Sequence, residues 1–181
     1  MGIIFQSLGR TVTVGVVLLA IVMGVTGGMD PINGLRWAHT ISGVLWIGLL
    51  YYFNFVQIPS MPKIPDEHKP AIGKVIAPTA LFWFRWAALA TVVTGLGVAA
   101  GAGYLVEALT LKTQMIGIGM WLALVMAFNV WFIIWPNQKK ALGIVVVEAA
   151  DKAKAARLAM LTSRFNTMLS IPMLYCMIAQ S

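Results

Sequence analysis

His39 is the only histidine inside an apolar stretch of this chain, residues 35–57, LRWAHTISGVLWIGLLYYFNFVQ. A neutral imidazole in such surroundings can bind haem iron through one ring nitrogen while the other donates to a neighbouring group. Gly43, one helical turn further on, lies on the same face and leaves room for a flat macrocycle. His39 is thus a candidate metal ligand, and His39 with Gly43 a candidate cofactor contact, with haem b as the cofactor. The competing reading is a histidine hydrogen-bonded to an adjacent helix. His68 stands in a proline-rich loop beyond the far end of the stretch, so no second histidine lies at similar depth. A haem here needs a non-histidine ligand, an open sixth position or a ligand from another chain.

A second set of polar groups comprises Asn54, Gln57, Arg85, Asn129, Asn137, Gln138, Arg164 and Asn166. All read as projecting from one end of apolar helices. If they converge, two guanidinium groups and several amides make a pocket for a planar anion or a quinone head group. Asn54, Arg85, Asn129, Arg164 and Asn166 are the candidate substrate-binding residues. The competing reading is arginines that snorkel to lipid head groups, with amides capping helices. Arg85 also stands among aromatic residues in Phe82-Trp83-Phe84-Arg85-Trp86, where stacking competes with ligand binding. Asp66, Glu67 and His68 are adjacent in the chain and cannot easily converge on one metal ion. Phosphate loops, nucleophile elbows and paired-carboxylate patterns are absent from the sequence.

The elements that would position these groups are transmembrane helices. The chain has 181 residues, 60% of them hydrophobic and 10% charged, with mean hydropathy +0.85. That composition belongs to a polytopic membrane protein whose first partner is the lipid bilayer. Only helices and closed barrels satisfy their backbone groups in lipid, and these stretches do not alternate polar with apolar. The sequence therefore predicts an all-α bundle, a single transmembrane domain over 1–181, with five spans at about 10–28, 35–57, 78–101, 112–135 and 156–179. Loop 58–77 holds Pro59, Pro62, Pro65 and Pro70, which argue against regular helix. Loop 136–155 is too charged to span, and Glu148 and Lys152, one turn apart, predict a short surface helix leading into the fifth span.

With five spans the basic residues sort by side. Arg10, Lys63, Lys69, Lys74, Lys139, Lys140, Lys152, Lys154 and Arg157 fall on one side, Arg36 and Lys112 on the other. The bias predicts a cytoplasmic N-terminus and an external C-terminus in an inner membrane. The net charge of +7 marks that side and no nucleic-acid stripe. Cys176 is the one cysteine, so no internal disulfide forms, and no Cys-x-x-Cys-His run exists for covalent haem attachment. Glycines within the spans predict close helix–helix approach, and tryptophans near span ends predict an interfacial belt.

Four stretches, in order, carry a family resemblance. They are Trp37-Ala38-His39 with Ser42-Gly43-Val44-Leu45-Trp46-Ile47-Gly48 and Tyr52-Phe53; Ala80-Leu81-Phe82-Trp83-Phe84-Arg85-Trp86; Asn129-Val130-Trp131 with Ile134-Trp135-Pro136-Asn137-Gln138-Lys139-Lys140; and Ser163-Arg164-Phe165-Asn166 with Leu169-Ser170-Ile171-Pro172. Together they resemble the membrane domain of bacterial cytochrome c-type urate oxidase (urate hydroxylase). The resemblance implies a membrane domain that works with a periplasmic cytochrome c, here missing or supplied by another polypeptide, so the chain reads as a short stand-alone member. Two positions depart from the family's pattern. Arg85 stands where lysine is usual, and Phe165 stands where the Ser-Arg-His-Asn run has its histidine. Two functions follow as expectations. One is a redox-linked membrane protein, an oxidoreductase or a subunit of one, that binds haem or quinone and passes electrons to an external cytochrome. The other is a non-catalytic accessory subunit of a larger respiratory, monooxygenase or photosynthetic complex.

Overall fold

A computed structural model describes residues 2–179 and is all-helical, with no strand among them. After one turn at Gly2–Phe5 come α1 (Leu8–Val25), α2 (Pro31–Lys63), α3 (Lys69–Gly101), the short α4 (Leu105–Leu109), α5 (Gln114–Ala141) and α6 (Ala149–Ile178). Asp30 opens α2 as its N-cap, its side chain accepting from Ile32 N–H, with Pro31 in the first turn, where its missing donor costs nothing. Four helices, α1, α2, α3 and α5, are long and apolar enough to cross a membrane, which corrects the expected five. The segment at 156–179 does form the greater part of a long helix, α6. Its average is lowered by Ser163, Asn166 and Ser170, which are buried against the other helices, while Leu158, Leu161, Met168 and Ile171 face outward. Polar groups inside and apolar groups outside are what lipid selects, and hydropathy averaged around the helix hides it.

The proline-rich loop is also corrected. Helix continues through Pro59 and Pro62 to Lys63 and resumes at Lys69, leaving only 64–68 outside helices. The ladder adapts by widening. Three π-helical turns occur, at Tyr52–Gln57, Ile72–Ile76 and Asn129–Ile134. Each ends two residues before a proline: Ile58 N–H bonds Phe53 O before Pro59, Ala77 N–H bonds Ile72 O before Pro78, and Trp135 N–H bonds Val130 O before Pro136. A proline ring clashes with the carbonyl four residues back and offers no donor to it, and an i→i−5 turn relieves both problems. α6 instead runs through Pro172 as α-helix. The expected short surface helix before the last span is the first part of α6, opening after Glu148.

Helices α2, α3, α5 and α6 form two antiparallel pairs, α2 with α3 and α5 with α6. The pairs meet tightly at one end, called here the proline end. Trp46, Leu50, Phe53, Phe84, Met126 and Val130 fill the core there, with the Phe53 and Phe84 rings edge to face. At the other end, the histidine end, the pairs stand apart around a cavity. α4 lies back across that end of α5, where Gly117 brings the two backbones together beside Ala108 O. α1 packs on none of the other long helices and has no buried residue.

Candidate functional site

His39 sits on α2 at the histidine end and points at α3. Its Nδ1 lies 2.9 Å from the carbonyl oxygen of Thr91, with Thr94 Oγ1 3.5 Å away. A carbonyl can only accept, so in the neutral ring Nδ1 carries the proton and Nε2 keeps its lone pair. The approach depends on Gly95: a Cβ there would come 2.7 Å from His39 Cε1. Gly97 and Gly101 continue the contact on Leu35 and Ile32. Glycine therefore does serve close packing in α3, as expected, whereas Gly15 and Gly24 in α1 face open space. Gly43 borders the cavity but is not forced, since a Cβ there would only touch Thr91 Cγ2 at 3.8 Å.

The cavity at this end measures about 1260 Å³ and lies among α2, α3, α5 and α6. His39 and Trp46 line it from α2, with Met120 and Leu124 from α5 and Met173 from α6, and Arg36 lies a turn beyond His39. Its walls are mainly apolar. Common small-molecule pockets measure roughly 300–1,000 Å³, so there is room for a haem or a quinone with part of its tail. The residues that border the cavity fit a haem in kind: an imidazole whose Nδ1 is already held by Thr91, the thioethers of Met120 and Met173, and the cation Arg36. No group of three or more histidine, cysteine or acidic residues gathers anywhere among the described residues, so His39 stands alone as a strong metal ligand.

The second candidate set divides. Asn54, Asn129 and Asn166 are brought into the bundle at the proline end and are spent on one another and on α6. Asn54 Nδ2 donates to Ser163 Oγ at 2.8 Å and to Leu50 O at 2.9 Å. Asn129 Nδ2 donates to Asn166 Oδ1 at 2.8 Å, and Asn166 Nδ2 to Met126 O at 2.9 Å. Tyr51 OH and Ser170 Oγ, 3.0 Å apart, add a further link between α2 and α6. The arginines do not join this set. Arg85 lies over the Trp135 ring, 3.8 Å from its centroid, and Arg164 is exposed on α6. The large cavity is lined by none of these five. Phe165 is exposed on the outer face of α6. Asn137 borders a small hollow between α5 and α6 with Lys140 and Lys154.

Sequence reasoning missed Trp46. An aromatic residue in a span reads as belt or core, yet this one is wholly buried on the cavity wall with no acceptor for its indole N–H. Its spacing of seven residues from His39, two turns on one face, is the signal that marks it.

Residues 96–181 match the family model described as urate oxidase N-terminal. No curated protein and no solved structure matches the chain. The matched region holds α4, α5, α6 and the last turns of α3, with the runs around Asn129 and Ser163; His39 lies outside it. Over those 86 of the 181 residues, a little under half, the chain is similar to the urate oxidase N-terminal domain family.

Proposed function

We propose that this chain is a redox-linked membrane protein whose cavity holds a flat, apolar redox molecule, haem b or a quinone, against His39. The observation that carries the reading is the His39–Thr91 hydrogen bond, which leaves Nε2 as the open nitrogen of a ring on the cavity wall. Ligating histidines are commonly fixed in this way, by a carbonyl that holds the other nitrogen. A bound haem would supply one-electron chemistry. The chain's own part is to hold the imidazole through Thr91 and Gly95, to exclude water with apolar walls, and to offer Arg36 near the mouth. In this reading α6 crosses with its partners, the N-terminus is cytoplasmic, the C-terminus lies outside a bacterial inner membrane, and electrons pass to a separate cytochrome c or a larger complex. The amides at the proline end hold helices together and bind no substrate.

The test uses the purified protein. A reduced-minus-oxidised spectrum with Soret and α bands, or quinone recovered by solvent extraction in fixed ratio, is expected. His39→Ala should abolish whichever is found. A loaded protein indifferent to that change would falsify the assignment of His39.

An accessory role without chemistry is the second reading, and α1 favours it. Beyond Thr13 that helix is almost wholly apolar, and it has no buried residue, as a helix that packs against another subunit would. Co-purification in fixed stoichiometry with a large complex, with neither haem nor quinone present, would support it.

A further inference from the structure

The corner where α5 turns back into α6 is strongly basic. Residues 139–157 hold five cations, Lys139, Lys140, Lys152, Lys154 and Arg157, against two acidic side chains, Glu148 and Asp151. Lys140 and Lys154 border one hollow of about 290 Å³ together with Val147, Leu158 and Asp151. Asp151 lies 3.8 Å from Lys154 Nζ, yet Lys154 stays 81% exposed and open to a second anion. Among the described residues the other four cations have no acidic partner, so the corner keeps its charge. The hollow also leads onto an apolar surface. Lys154, Leu158, Leu161, Phe165 and Met168 recur at three- and four-residue spacing and are all exposed, so they form one stripe down α6. Fourteen residues of helix make that stripe roughly 21 Å long. Beside it the loop exposes Ile144, Val145 and Val146, the last by 93%. A turn holds them out, with Gly143 at φ +75° and Ile144 N–H returning to Lys139 O. Apolar side chains flanked by lysines suit the head-group layer, where the former dip below the phosphates that the latter bind.

We infer that this corner binds an anionic phospholipid of the adjoining leaflet, its phosphate held by Lys140 and Lys154 and one acyl chain laid along the α6 stripe. The inference rests on α6 crossing the bilayer, as proposed above, and on nothing that the cavity holds. Charge selects the lipid: a zwitterionic head group brings its own cation to a corner that is already positive. A free phosphate would use the lysines and leave the apolar stripe without a role. The hollow falls below the roughly 300–1,000 Å³ of common small-molecule pockets, which suits a head group better than a whole cofactor. Basic pockets between transmembrane helices at a membrane surface hold anionic head groups by this combination of charge and depth.

The experiment uses the full chain in mild detergent, with bound lipid counted by native mass spectrometry. The probes are palmitoyl-oleoyl phosphatidylglycerol and phosphatidylcholine with the same chains. Saturable binding of one phosphatidylglycerol is expected, about twentyfold tighter than phosphatidylcholine, each lysine at an anionic head group being worth roughly fivefold. The double variant Lys140→Gln/Lys154→Gln should bring phosphatidylglycerol down to the affinity of phosphatidylcholine. Lys63→Gln/Lys74→Gln removes the same charge from exposed positions on α2 and α3 and should change neither affinity. Equal affinity for the two lipids in the unaltered protein, or an equal loss in both double variants, overturns the inference. Displacement of phosphatidylglycerol by equimolar inorganic phosphate also overturns it, because the acyl chain would then contribute nothing. A fluorophore placed by Met168→Cys, read in vesicles for quenching by brominated acyl chains, tests the crossing of α6 separately. Quenching without lipid preference removes only the lipid site. No quenching removes the crossing of α6 and the inference with it.

Discussion

The two ends of this bundle are built from the same helices and use their polar residues in opposite ways. At the proline end, amides and hydroxyls from α2, α5 and α6 meet and bond one another: Asn54 with Ser163, Asn129 with Asn166, Tyr51 with Ser170. At the histidine end the helix pairs separate around a cavity bordered by His39, whose Nδ1 is held by Thr91 O, while the fully buried Trp46 Nε1 has no acceptor. In lipid, a satisfied polar group fastens helices and an unsatisfied one asks for a ligand. Some atoms at the proline end also lack partners, Asn54 Oδ1 and Gln57 Oε1 among them, but both lie in the first π turn, away from the cavity.

The comparison can be broken or sharpened by substitution. The largest effect is expected at Gly117, where an added methyl would meet the Ala108 carbonyl and push α4 off α5. Gly117→Ala should cost about 2–3 kcal/mol, read as a lower melting temperature in detergent, with the cavity mouth disturbed as well. Asn166→Ala comes next. It removes two bonds at a fully buried site and leaves the Asn129 amide without its acceptor, so a loss of about 2 kcal/mol is expected with ligand binding at the histidine end unchanged. If ligand binding fell in step with stability, the two ends would not be separable in the way argued here. Gly95→Ala should cost about 1 kcal/mol in stability but free the imidazole from Thr91. Nitrogen NMR of the His39 ring should then report a changed tautomer balance, and an unchanged spectrum would mean that Gly95 does not seat the ring. Arg85→Gln should cost about 0.5–1 kcal/mol through the lost stacking on Trp135.

The smallest effect lies outside both ends, in the short loop between α2 and α3. Lys69 Nζ donates to Asp66 Oδ1 at 2.6 Å and holds that carboxyl below its usual range. A lowered carboxyl stabilises the fold above its ordinary pKa and ceases to as pH falls through the lowered value. The pair is exposed, so Asp66→Asn should lower the melting temperature only slightly at neutral pH. Only below about pH 4 should the unaltered protein lose its slight advantage over the variant.

Much of this molecule was legible in its residues. Apolar length fixed the helices, because lipid admits no other way to satisfy a backbone there. Lone His39 was identifiable as an imidazole within an apolar stretch, and it is partly buried; Gly95 and its neighbours were identifiable as sites of close approach. The prolines were read as loop formers, and that reading failed at Pro59, which a π turn absorbs without ending the helix, and at Pro62, which sits in the closing 3-10 turn. The amides were read as one pocket with the arginines. They did come together, but Arg85 turned to Trp135 and Arg164 turned outward.

What the sequence determined alone was chemistry per residue and burial on average: an all-helical membrane protein with one imidazole in an apolar stretch. What only the tertiary structure decided was which polar atoms find partners. That depends on the rotation of each helix about its axis, and rotation is set by contacts between residues far apart in the chain, such as Gly95 with His39 and Asn166 with Asn129. The same rotations leave His39 and Trp46 bordering a cavity whose other walls come from α3, α5 and α6.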